Sequence, residues 1–158
     1  MLYEADEISY QLSSIPFEGN IIPHTWMKRI CLKNGRPDVV ACLLLAEIIY
    51  WYRPIQFKEE CTGNLILKKK YKSDLLQKSY EDIENSLGLS KKQAREALIR
   101  LEDLKILKRM FRDVKISEGV TAFNILFIKI FPERIQEITN FNPKSQTSNI
   151  NEGNDPLP

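Results

Sequence analysis

The stretch SYEDIENSLGLSKKQAREALIRLEDLKILKR, residues 79–109, decides how this chain is read. Ser79 followed three positions later by Asp82 pairs a capping hydroxyl with an acid, which starts a helix running to Leu87. Gly88 stands where a left-handed residue ends such a helix. After Leu89, Ser90-Lys91-Lys92-Gln93 forms a second capping box, so another helix starts almost at once. Two short helices joined by so tight a glycine turn make a helix-turn-helix arrangement.

The second helix, expected over 90–104, places Ala94, Ala97, Leu98, Leu101 and Leu104 on one stripe at 3–4 spacing. Its polar side carries Ser90, Lys91, Lys92, Gln93, Arg95 and Arg100, the candidates for reading base edges in a major groove. Working outward on the C-terminal side, 107–116 and 120–130 are rich in β-branched and aromatic residues around the turn Ser117-Glu118-Gly119. A reading helix followed directly by a hairpin is the helix–wing order. Lys108, Arg109, Arg112 and Lys115 on its first strand suit phosphate contacts.

On the N-terminal side, Asp38 caps a helix that runs through about Tyr52 and is stopped by Pro54. It is apolar on nearly every face, which predicts the buried central helix. Residues 33–37 form a loop, and 23–30 contain a helical turn or two starting at Pro23. Residues 1–22 are expected as an N-terminal arm, extended over 8–22 and laid on the core. A hairpin is expected between about Ile55 and Lys70, turning at Thr62-Gly63-Asn64. The lysine run 68–72 along its exit is either a solvated edge or a phosphate contact through Lys69 and Lys70, and both readings stand. Residues 140–158 have few bulky apolar residues and are expected to be a disordered tail after a domain spanning 23–139.

Residues 79–109 resemble the winged helix-turn-helix family of bacterial, plasmid and phage DNA-binding proteins. The similarity extends to about residue 130 with the wing, and rests on the Leu87-Gly88-Leu89-Ser90 turn and on Leu98, Leu101 and Leu104 before a basic strand. Two departures are visible. Glu84 stands where a small residue is usual, and Lys105 stands where glycine is usual, so the second helix is expected to end without an easy left-handed residue. More loosely, 15–139 is similar to the N-terminal domains of plasmid and prophage replication initiators and replisome organisers. Ile22-Pro23-His24-Thr25-Trp26, Glu47 through Pro54 and Asn124-Ile125-Leu126-Phe127 carry that likeness. The resemblance implies a mainly α fold with a small β-hairpin wing, and sequence-specific binding of double-stranded DNA in replication or transcription control. A homodimer, through helix 38–52 or the N-terminal arm, and replication proteins are further candidate partners. The alternative is a winged-helix protein-interaction module that does not bind DNA.

Charge agrees with a local polyanion footprint. The net charge of +2 conceals −2 over residues 1–66, +6 over 67–115 and −2 over 116–158. Cys31, Cys42 and Cys61 are odd in number and lack a C-x-x-C pair, which argues for reduced thiols in a cytoplasmic protein rather than disulfides or zinc. The acidic N-terminus has no signal-peptide pattern, and the longest apolar stretch, Val39 to Tyr52, contains Glu47 and is shorter than the roughly 20 residues that span a bilayer. His24 is the sole histidine, and neither a P-loop nor a dinucleotide glycine pattern occurs. Glu81, Asp82 and Glu84 read as first-turn acids favouring the helix dipole rather than as a metal site. No catalytic residue, metal or cofactor is expected.

Overall fold

Burial of one helix organises the molecule. The computed structural model describes residues 1–140; the expected tail from 141 onward lies outside the described residues. Asp38 accepts the Ala41 N–H at 3.2 Å and so caps the central helix α3 (Val39–Tyr52), of which Ala41, Cys42 and Leu44 through Ile48 are buried. Around it run α1 (Glu7–Ser13), α2 (Trp26–Arg29), β1 (Ile55–Lys58), β2 (Leu65–Lys68), β3 (Leu76–Gln77), α4 (Tyr80–Leu87), α5 (Lys91–Asp103), β4 (Leu107–Ser117), β5 (Val120–Ile130) and α6 (Pro132–Thr139). The architecture is mixed: helices with small antiparallel sheets, β1–β2 as a separate pair and β3-β5-β4 as a three-stranded sheet.

The caps act where the sequence places them. Ser79 and Asp82 exchange bonds of 2.9 and 3.0 Å at the start of α4, and Gly88 ends it at φ 71°. Ser90 and Gln93 repeat the box at the start of α5. Ala94, Ala97, Leu98 and Leu101 are fully buried against α3 and α4, as their spacing requires. The end of α5 corrects one expectation. Lys105 itself takes the left-handed conformation, at φ 61°. Its N–H donates to the Glu102 carbonyl (2.9 Å) and the Ile106 N–H to the Leu101 carbonyl (3.1 Å), the paired bonds of a Schellman ending. Leu101 and Ile106, both fully buried, supply the apolar contact that holds Lys105 there despite its Cβ.

β4 and β5 pair from Leu107↔Ile130 to Ser117↔Val120, with an irregularity where Asp113 faces Phe123 and Asn124. Asn124 accommodates it at φ 53°, its N–H donating to Asp113 Oδ1 at 3.1 Å. The Tyr52 hydroxyl joins helix to sheet: it accepts the Leu76 N–H and donates to the Ile128 carbonyl. Two elements escape the sequence reading. β3 is too short to show a period of two, and α6 is tied back by Trp26 Nε1–H donating to Thr139 Oγ1 at 2.9 Å.

The arm corrects another expectation. Glu7–Ser13 is helix, capped by Asp6 accepting the Ser9 N–H at 2.9 Å, and none of its residues is buried. Asp6, within the acidic N-terminus, stands two positions before an Ile-x-x-x-Leu pair (Ile8, Leu12), and an acid so placed is itself a helix start. Among the described residues no helix is long and apolar enough to cross a membrane.

Candidate nucleic-acid interface

The basic residues singled out from sequence divide into those the fold uses and those it leaves free. Lys91, Lys92 and Arg95 lie in the first turns of α5, exposed: Lys92 opposite the buried alanine and leucine stripe, Arg95 to its side and Lys91 along its edge. Lys91 and Arg95 are i,i+4 neighbours, and Lys92 approaches only Glu96, at 4.0 Å. Ser90 and Gln93 are exposed but occupied. The Ser90 hydroxyl accepts the Gln93 N–H at 3.1 Å, and Gln93 Oε1 accepts the Ser90 N–H at 3.0 Å. Gln93 keeps its Nε2 donors for an adenine, while its oxygen is shared with the Ser90 N–H as long as it caps the helix.

Arg100, expected on the reading face, turns to the core. Its guanidinium donates to both carboxylate oxygens of Asp38 at 2.6 and 3.1 Å, joining the end of α5 to the start of α3. Asp38 is 3% exposed and also caps α3, so this contact is structural. Sequence could not pair them, because 62 positions separate them.

Alternation along β4 sorts the basic residues of the β4–β5 hairpin. Leu107, Arg109, Phe111 and Lys115 take one side, the side from which Arg109 reaches α5; Lys108 and Arg112 take the other. Arg109 donates to Glu102 at 3.2–3.3 Å while its backbone N–H donates to the same carboxylate at 2.9 Å. Arg112 grips both oxygens of Asp74 at 2.7 and 3.1 Å and lies over the Phe127 ring, 4.9 Å from its centroid. Those bonds hold the Asp74 carboxyl below its ordinary range. Two of the expected phosphate contacts, Arg109 and Arg112, are thus neutralised by acids of the same chain. Lys115, exposed near the β4–β5 turn on the α5 side, and Lys108, exposed at the root of β4 on the opposite side, carry no acidic partner among the described residues. Lys108 faces Lys129 directly across the pair, a like-charge juxtaposition that weakens a sheet unless an anion intervenes.

The lysine run resolves differently along its length. Lys69 Nζ–H donates to the Ser73 carbonyl at 2.6 Å, and Lys70 Nζ–H to the Tyr50 carbonyl at 2.7 Å, with Lys70 stacked 3.7 Å over the Tyr50 ring. Lys70 thereby anchors the loop after β2 to the end of α3, whereas the Lys69 bond stays within that loop; each ammonium keeps its charge while donating to a neutral carbonyl.

The fold also contains a polar cluster that the sequence reading missed. Glu47, in the middle of α3, accepts from Lys78 Nζ (3.0 Å), Asn20 Nδ2 (2.7 Å) and Trp51 Nε1 (3.1 Å). Lys78, immediately before the α4 cap, is 6% exposed. Burial pushes the Glu47 carboxyl up, but the hydrogen bonds from Asn20, Lys78 and Trp51 outweigh it and hold it below its ordinary value. A lone acid inside an apolar helix was the available signal, since a buried charge demands a partner. The cluster fixes α3 against the entry to α4, and so fixes the orientation from which α5 projects.

No sign of other chemistry accompanies these residues. Among the described residues no group of three His, Cys, Asp or Glu could hold a metal. The thiols are free, and burial together with the charge of Asp38 pushes Cys42 up to about 11. No family model, curated protein or solved structure matches this chain.

Proposed function

We propose that this chain is a winged helix-turn-helix protein that binds double-stranded DNA in a sequence-specific manner, with α5 in the major groove and the β4–β5 wing on the backbone. The observation that carries the reading is the set Lys91, Lys92 and Arg95: exposed cations at the start of α5, directly after a capped glycine turn, with Lys115 on the same side of the wing. Arg95 and Lys91 supply donors for guanine edges, and Lys92 and Lys115 contact phosphate. The action is cytoplasmic and non-enzymatic, in plasmid or phage replication initiation or transcription control.

A second reading, a protein-interaction module on the same fold, draws on the exposed Glu84 and on Glu96 at 4.0 Å from Lys92. Duplex affinity measured across a salt series separates the two. DNA binding predicts a linear fall of log affinity with log salt, with a slope of about −0.9 per neutralised phosphate. Absence of salt-dependent duplex binding in folded protein would overturn it.

A further inference from the structure

We infer that two copies of this chain dimerise by reciprocal exchange, the N-terminal arm of each protomer docking on the β1–β2 hairpin of its partner. The inference does not depend on DNA binding. Both elements are unsupported within one chain. Among the described residues α1 packs on no other helix or strand, and β1 and β2 pack only on each other. A seven-residue helix is well below the roughly 12–15 residues at which isolated helices become even marginal in water. An isolated two-stranded hairpin is likewise marginal. Yet both are strongly apolar: Ile8, Leu12 and Ile15 follow i, i+4, i+7 spacing on the arm and are 48–66% exposed. On the hairpin, the register puts Leu65 and Leu67 on one face together with Lys58, and the two leucines are 70% and 62% exposed.

Charge identifies the occupant. Residues 1–19 carry Glu4, Asp6, Glu7 and Glu18 and no lysine or arginine. The hairpin and its exit, residues 55–72, carry Lys58, Lys68, Lys69, Lys70 and Lys72 against Glu59 and Glu60, a net charge of +3, and among the described residues Lys58, Lys68 and Lys72 make no ion pair. One chain therefore supplies an acidic apolar strip and an apolar hairpin that is net basic with its exit, Lys58 lying on the face of Leu65 and Leu67 and Lys68 on the other, which is the charge pairing a self-complementary interface requires. Their roots adjoin. Phe17 to Asn20 line a cleft with Tyr50, and Gly19 and Asn20 line the neighbouring one with Pro54 and Lys70, so arm and hairpin leave the body from the same end of α3. A twofold axis beside that end closes both contacts at once. α3 itself, the other expected dimer surface, is instead mostly buried in its own core.

Charge-swapped chains test this by sedimentation velocity over a concentration series. Wild type should show a reversible monomer–dimer equilibrium. Glu7→Lys and Lys58→Glu should each weaken it at least about tenfold, because like charges then meet across both contacts. An equimolar mixture of the two variants should regain the wild-type constant, since each arm then meets a hairpin of opposite charge. Leu67→Asp, at an exposed site that leaves the fold intact, should also give monomer, with no rescue by either. A wild type that stays monomeric overturns the proposal, as does a dimer indifferent to all three substitutions. Weakening without rescue in the mixture overturns it too, and places the arm on its own hairpin or elsewhere.

Discussion

The two ends of α5 carry similar residues and do different work. At its start Lys91, Lys92 and Arg95 point outward with, at most, a 4.0 Å approach to Glu96. At its end Arg100 and Glu102 reach inward, to Asp38 and to Arg109 of β4. The difference teaches that a basic face is not measured by counting lysines and arginines. A guanidinium already paired with a carboxylate adds no net charge to a footprint, and freeing it would leave the acid behind. On the proposed reading the interface is narrower than the net +6 of residues 67–115 suggests, since the exposed cations without a close acid are concentrated where the helix begins.

If the inner contacts are structural, breaking them should change stability rather than binding. The largest effect is expected at the Glu47 cluster, which supports the inner end through α3. Glu47→Gln leaves Lys78 charged and buried, and should destabilise the fold by about 3–5 kcal/mol in chemical denaturation at neutral pH. The pH dependence has a definite sign. The folded carboxyl lies below its ordinary value of 4.5, so its contribution is complete above that pH and is lost as pH falls through the lower folded value. The gap between wild type and variant should therefore narrow below about pH 4.5. A gap that widens there would reject the ionised cluster.

A smaller loss is expected for Arg100→Ala. It removes two bonds to Asp38, but the arginine side chain is 36% exposed, so solvent screening limits the cost to about 1–2 kcal/mol. Duplex affinity of the folded variant should not move. Were Arg100→Ala to weaken binding without touching stability, the division between the two ends would fail. Smallest in magnitude and opposite in sign is Lys105→Gly. Glycine relieves a left-handed residue and should raise stability by up to about 1 kcal/mol in thermal or chemical unfolding, with affinity unchanged. A loss of stability would mean that the lysine side chain contributes something beyond the Schellman bonds.

The division also explains which features sequence could reveal. Helix starts at Ser79, Ser90 and Asp38, the stop at Gly88 and both hairpin turns depend on residues within four positions of one another, and local spacing displays them. The free cations of α5 are legible for the same reason: they follow from the helical period. The committed cations are not. Asp38 lies 62 positions from Arg100 and Asp74 38 from Arg112, so only the folded chain brings them together. Glu102 and Arg109, seven apart, straddle a helix end and a strand, where neither period applies. The arm shows the reverse error. Its Ser, Pro and Gly content suggested an extended segment, whereas the Asp6 cap and Ile8–Leu12 spacing make a helix over Glu7–Ser13.

The most direct test of the account compares one outward and one committed arginine on DNA. Duplexes selected from a random pool by wild-type protein, and scrambled controls, are titrated by fluorescence anisotropy across a salt series with wild type, Arg95→Ala and Arg112→Ala. Arg95→Ala should lose about 1–3 kcal/mol on the selected duplex and relax preference at one base position. Arg112→Ala, on the side of β4 opposite Lys115 and with its bonds committed to Asp74, should bind within about twofold of wild type with an unchanged salt slope. Wild-type affinity indifferent to salt, or a folded Arg95→Ala that binds as wild type while Arg112→Ala does not, would contradict it.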